Sequence, residues 1–261
     1  MFLVEFEMRE RTNRQGFTLV ELLVVIGIIG VLAALLMPAL SRARAQGKRV
    51  SCMSNMRQLG FAVQMYLSEN DSRYFDYYRD IPDGGRLWWF GLEPDYGVVR
   101  EEGERELDVG KGPLWEYYGT VGGIELCPSF DYELGIYKLK FTGASFGYGF
   151  NLCLFGKNES RVKDPSGTLM FADCAQVNTF QAPASPSNPM LEEFYYVSPH
   201  EKLVHFRHYG RANVLFADGH VESLPAYPGS YDPRLPAARI GMLNAPGDNT
   251  LFGGDSLCLS E

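Results

Sequence analysis

The chain has 261 residues, 46% of them hydrophobic and 21% charged, with a net charge of −8. That balance is ordinary for a globular protein, and an acidic chain without basic stripes argues against nucleic acid as a partner. About 190 residues follow position 68, enough for one domain with a core of its own.

Residues 1–16 are charged but neutral overall, with Glu5, Glu7 and Glu10 set against Arg9, Arg11 and Arg14. Residues 17–40 follow as an apolar run in which Glu21 is the only ionisable side chain. As a helix this run reaches roughly 36 Å, enough to cross a hydrocarbon core of about 30 Å. A plain anchor, or a secretory signal cut after Ala43-Arg44-Ala45, leaves Glu21 without a purpose.

The order of residues supplies one. A charged leader ending in Arg14-Gln15-Gly16, then Phe17 and TLVELLVVI, resembles the start of type IV prepilins and type II secretion pseudopilins. The resemblance implies that a prepilin peptidase cuts between Gly16 and Phe17 and methylates the new amine. It also implies that residues 17–40 stay in the inner membrane, with the N-terminus cytoplasmic and the head periplasmic or extracellular, before the subunit enters a filament. Cleavage puts an α-amine on Phe17, one turn from Glu21, because residues i and i+4 share a helix face. A lone carboxylate in lipid is costly, whereas one offered an amine by its own or a neighbouring chain stays charged and fixes the register of packed helices. Basic residues favour the cytoplasmic side, so a start at Met8, giving a leader of net +2, fits better than one at Met1.

Pro38 removes a backbone hydrogen bond and favours a bend in the helix, as the resemblance also implies; the other reading is that it ends the membrane helix. Beyond it, Val50, Met53, Met56, Leu59, Val63 and Tyr66 recur every three or four residues and form one apolar face. The spacing predicts a single helix over 17–68, its second half packed on the domain that follows.

Residues 69–261 read as an α+β head. Tyr74, Tyr77, Tyr78, Trp88, Trp89 and Phe90 crowd a segment interrupted by Pro82, Gly84 and Gly85, expected to be irregular and to pack in the core. Gly112-Pro113 before LWEYYG predicts a short helix. Residues 136–141, 144–150 and 168–173 read as strands, and 181–189 as a proline-rich loop. VLFA, Asp218-Gly219 and HVES form a hairpin signature, because Asp-Gly favours a tight type I′ turn.

His208, nine residues, then Asp218-Gly219 resembles the C-terminal H-x9-DG signature of a large group of prepilin-type proteins. Cys127-Pro128-Ser129 and the stretch from Cys52 through Arg57-Gln58-Leu59-Gly60 look like the same group. The fold implied is pilin-like, a long N-terminal helix packed on an antiparallel β-sheet head.

All four histidines (His200, His205, His208, His220) share one window, and Asp173 and Asp218 end the similar runs LMFAD and VLFAD. Calcium or another metal could be held there, but no full ligand spacing is present, so no cofactor is expected. The plainer reading is that Asp218 makes the turn and His208 bonds groups nearby. Five cysteines leave at least one unpaired. Cys52 and Cys127, both in motifs shared with the group, are the expected disulfide pair, although sequence alone does not fix connectivity.

No hydrolase, metalloprotease, P-loop or dinucleotide fingerprint occurs. The resemblance implies a non-enzymatic pilin or pseudopilin subunit, with which this absence agrees, whose partners are the peptidase, other subunits and the inner membrane. Two alternatives stand beside it: a filament-tip module binding polysaccharide or metal, and a membrane-tethered enzyme using the histidine window and Asp218.

Overall fold

The computed structural model describes residues 18–258 except 83, 99, 120–122, 125, 131–134 and 143–145. Residues 1–17, with the leader, both candidate starts, Gly16 and Phe17, lie outside the described residues. The chain divides into two compact units, one ending at Arg44 and the other beginning at Ala45.

Helix α1 (Leu19–Glu69) begins in the first unit and ends in the second. In the first unit it exposes large apolar side chains from Leu19 to Leu40, and the helix is long and apolar enough to cross a membrane by length and composition. The helix continues through Pro38, so the proline does not terminate it. Its ring removes the N–H that would reach the Ala34 carbonyl and crowds that carbonyl.

In the second unit α1 buries Cys52, Met56, Leu59, Gly60, Ala62, Val63 and Leu67. Met56, Leu59 and Val63 of the expected face are buried, and Met53 and Tyr66 are half-buried. Val50 is 64% exposed, and the small residues Cys52, Gly60 and Ala62 take the contact. A Cβ on Gly60 would stand 3.2 Å from Leu215 Cδ2, tighter than ordinary packing, so close approach explains the preference for small side chains.

Among the described residues thirteen short strands follow: β1 (Tyr78–Asp80), β2 (Arg86–Trp88), β3 (Gly91–Glu93), β4 (Tyr137–Lys138), β5 (Tyr148–Asn151), β6 (Leu169–Asp173), β7 (Gln176–Asn178), β8 (Met190–Glu192), β9 (Tyr196–Val197), β10 (Val204–His205), β11 (Arg211–Phe216), β12 (Val221–Pro225) and β13 (Ile240–Gly241). The main sheet has the order β12-β11-β6-β5-β9 and is antiparallel except at the β5–β9 edge. Strand β6 is buried along its whole length, which is why it reads as a continuous apolar run rather than an alternation. Three smaller sheets, β1-β2-β3, β4-β8-β7 and β10-β13, complete the strands.

The crowded aromatics form the core. The Trp89 ring lies 4.9–6.3 Å from those of Phe75, Phe90, Phe146, Phe150 and Phe171, and its Nε1 donates to the Tyr195 carbonyl at 2.9 Å. Burial with that one polar atom satisfied gives the indole a structural role. Short helices α2 (Trp115–Tyr118) and α3 (Asp255–Cys258) flank the sheets, and no helix or strand falls within 181–189.

Two expectations need correction. The disulfide joins Cys153 to Cys258, whereas Cys52 and Cys127 are free and buried. Cys52 and Cys127 do come near one another, their sulfurs within 4.8 Å, but they are not bonded, and each sulfur instead contacts a side chain of the same cluster, Asp173 for Cys52 and His208 for Cys127. The hairpin between β11 and β12 is not a two-residue type I′ turn either. Phe216 accepts from Gly219 N and donates to His220 O, both at 2.9 Å, and only Gly219 of residues 217–219 has positive φ. That is the longer loop in which a turn is followed by a glycine.

Candidate functional site

Thr18 stands ahead of the first residue of α1, and Glu21 lies in its first turn. Thr18 N and Oγ1 donate to Glu21 Oε2 at 2.9 and 2.6 Å, and Glu21 N donates to Thr18 Oγ1 at 3.2 Å. This reciprocal arrangement is a capping box, which satisfies helix-start donors that would otherwise lack partners. The T-x-x-E spacing of residues 18–21 already signals it.

A second site lies within the head. Cys52 projects from the buried face of α1, Cys127 opens a turn in which Phe130 N donates to its carbonyl at 2.9 Å, and Asp173 ends β6 opposite Tyr148 of β5. His208 precedes β11 and exchanges backbone hydrogen bonds with Arg211 at 3.0 and 3.1 Å. The two residues between them, Tyr209 and Gly210, both have positive φ, at 55° and 77°. The type I′ geometry expected at Asp218-Gly219 thus occurs here, where it aims His208 inward.

These four side chains meet, one ligand-type atom from each lying within 4.8 Å of all the others. His208 Nε2 is 3.2 Å from Asp173 Oδ2 and 3.6 Å from Cys127 Sγ. Cys52 Sγ is 3.4 Å from Asp173 Oδ1 and accepts from the Tyr148 hydroxyl at 3.5 Å. The backbone N–H of Asn213 donates to Asp173 Oδ2 at 2.7 Å, and Arg207 Nε stands 3.6 Å from Oδ1. Arg207 is itself held by the carbonyls of Gly147 and Cys174, at 2.8 and 2.9 Å. All four residues are at most 3% exposed, so every charge here must be matched inside the protein.

The protonation pattern follows from that burial. Desolvation would raise the Asp173 carboxyl, but Arg207, His208 and the Asn213 N–H hold it below the usual carboxylate range. Burial alone would lower His208, yet its bonds to Asp173 and Cys127 bring it up to about 9. Burial, with Cys127 and Asp173 close by, pushes the Cys52 thiol well up. Cys127 goes down against its burial, because Cys52 donates to it and Arg207 and His208 are positive. The pattern is a carboxylate, a thiolate, a thiol and an imidazolium locked together.

Of the histidine window only His208 joins this cluster. His205 is buried with its ring 5.5 Å from Phe130, His220 stacks on Phe216 at 4.3 Å, and His200 is exposed. Asp218 bonds His220 Nδ1 at 2.6 Å and His220 N at 3.1 Å, within its own loop. Asp173, Cys52 and Cys127 come together with His208. Asp218 and Gly219 do not.

A family model described as the prokaryotic N-terminal methylation motif matches residues 11–37. The type IV major pilin protein PilA of Myxococcus xanthus is 31% identical over 104 residues, 39% of this chain and 47% of that protein. The type II secretion system core protein G of Klebsiella pneumoniae is 43% identical over 116 residues, 37% of this chain and 82% of that protein. A Thermus thermophilus relative, the type IV wide pilus major component PilA4, is 40% identical over 60 residues, 23% of this chain and 46% of that protein. The chain spans about half the length of several of these relatives, such as 47% of the Myxococcus pilin and 44% of the core protein G of Klebsiella michiganensis. No solved structure matches the chain.

Proposed function

The chain belongs to the family of type IV pilins and type II secretion core protein G, and from that premise we propose that it is a structural subunit of a type IV pilus or a secretion-type pseudopilus. In this reading a prepilin peptidase removes residues 1–16 and methylates the amine of Phe17. The apolar half of α1 then lies in the inner membrane, with its N-terminus toward the cytoplasm and the head on the far side. Extraction into a filament follows, by packing against the same half of other subunits.

One observation carries this reading: Glu21, the only ionisable residue of an otherwise unbroken apolar run, in the first turn of the helix. A carboxylate in hydrocarbon is expensive unless paired. Its bonds with the Thr18 donors fall on a single oxygen, Oε2, and the other oxygen suits the amine of a neighbouring subunit. Such pairing stabilises a packed bundle more than a lone anchor, because only the bundle brings a second amine. The role is structural rather than enzymatic, with no turnover required of the head.

The test is intact-mass and N-terminal peptide analysis of the membrane fraction. A mature chain beginning with N-methylated Phe17 is expected. A chain that keeps residues 1–16, or that lacks the apolar run altogether, overturns the reading.

A further inference from the structure

We propose that Cys52, Cys127, Asp173 and His208 form a closed structural zinc(II) site that pins α1 to the sheet. This inference concerns the head alone and does not rest on the filament reading.

The donor set is the first argument. Two sulfurs, one imidazole nitrogen and one carboxylate oxygen are four ligands of the kinds that bind zinc, and two thiolates select against calcium and magnesium. Spacing is the second. Four such atoms around a tetrahedral zinc, each roughly 2.0–2.3 Å from the ion, stand roughly 3.2–3.8 Å from one another. Three of the contacts fall in that range, His208 Nε2 to Asp173 Oδ2 at 3.2 Å, Cys52 Sγ to Asp173 Oδ1 at 3.4 Å and Cys127 Sγ to His208 Nε2 at 3.6 Å. One atom from each residue lies within 4.8 Å of the others, so ligation needs a contraction of at most about 1 Å in the widest pair.

Charge is the third. A zinc dication that displaces the protons of Cys52 and His208 leaves two thiolates and a carboxylate against the ion and the Arg207 guanidinium. The buried site stays as neutral as it is without the ion, and metal binding costs no net buried charge. Outer partners are in place as well: Tyr148 donates to Cys52 Sγ, and Asn213 N–H and Arg207 hold Asp173. Such contacts orient ligands and tune the metal. Because all four residues are nearly inaccessible, a fourth position open to substrate is missing, and the site is structural rather than catalytic.

A Cys52–Cys127 disulfide is the competing account. It would employ the two sulfurs and leave Asp173 and His208 only their pairing with each other, Arg207 and Asn213. The chain also places its bridge elsewhere, at Cys153–Cys258. The four ligands come from α1, the turn at Cys127, β6 and the start of the β11 hairpin. An ion there ties together segments far apart in sequence.

The experiment uses the full chain, purified in detergent without chelator and analysed by elemental mass spectrometry. About one zinc per chain is expected, and below about 0.1 in the Cys52→Ser/Cys127→Ser variant, while His220→Ala retains it. Cobalt(II) in place of zinc should give the intense visible bands of a tetrahedral ion and a thiolate charge-transfer band. Should the serine variant fail to fold, the wild-type chain alone decides: chelation should lower its melting temperature, and zinc alone should restore it. Three results overturn the proposal: no stoichiometric zinc in a folded chain with both thiols reduced, an octahedral cobalt spectrum, or a Cys52–Cys127 disulfide in the native protein.

Discussion

Asp173 stands 3.2 Å from His208, the residue that opens the H-x9-DG run, while across the sheet it faces Tyr148. The hairpin marked by that run therefore meets β6 through His208 as well as through the β11–β6 ladder, and not through Asp218.

Removing the charge at Asp173 should expose how much rests on the pair. Asp173→Asn keeps the shape but leaves Arg207 and His208 buried without their carboxylate, and breaking such a pair costs about 3–5 kcal/mol. Thermal unfolding of the detergent-solubilised chain measures it. A melting temperature unchanged from wild type would show that the cluster contributes nothing to stability.

The pair formed by Lys138 and Glu192 gives a pH prediction. They meet at 2.9 Å between β4 and β8, and both are buried. Burial would raise the Glu192 carboxyl, but Lys140, Lys138 and Asn178 outweigh it and hold it below its ordinary value of 4.5. A depressed folded value means that the unfolded chain takes up the proton first as pH falls. The stabilisation is thus complete above about pH 4.5 and is lost as pH falls through the lower folded value. Melting temperatures from pH 7 down to pH 3 should fall less steeply for Glu192→Gln than for wild type.

For the Cys153–Cys258 bridge the relevant fact is a sequence separation of 105 residues. Closing so long a loop restricts the unfolded chain, and losing it should cost about 2–5 kcal/mol. Cys153→Ser should unfold at lower temperature than wild type, and added reductant should lower the wild type toward the variant while leaving the variant unmoved. Equal melting of all three would deny the bridge any role in stability.

Glu21 has two duties to separate. Thr18→Ala removes one side of the capping box, a loss of about 1 kcal/mol in helix stability, and should leave assembly intact. Glu21→Ala removes the carboxylate as well. Sheared surface fractions should then hold at least roughly tenfold less subunit, as expected for loss of a buried charge partner, with the level in the membrane unchanged. If both variants assemble alike, pairing with a neighbour's amine is not what Glu21 provides.

Local pattern was legible and tertiary convergence was not. The apolar run gave the helix, since length and composition are local properties. The strand ending in Asp173 was readable because LMFAD is continuous and short. The helix face was legible at Met56, Leu59 and Val63, but periodicity counts large side chains and so passes over the small ones that share that face. Close approach to Leu215 selects a small residue at Gly60, and Cys52 and Ala62 are buried while Val50 and Phe61 lie outside. Each member of the buried cluster stood out singly, but nothing in the spacing of Cys52, Cys127, Asp173 and His208 encodes that four separate segments meet. Disulfide pairing failed for the same reason, since connectivity is a property of the folded chain. The type I′ turn was assigned to Asp218-Gly219 by composition, whereas Tyr209 takes positive φ where an aromatic residue is least expected.

The Cys153–Cys258 bond also makes everything between those residues a covalent ring. The exposed, proline-rich stretch 181–189 lies on that ring. A protease that cuts there opens the circle without releasing a fragment, so a nicked chain keeps all its parts together. Only a reductant would let the two pieces separate on a gel.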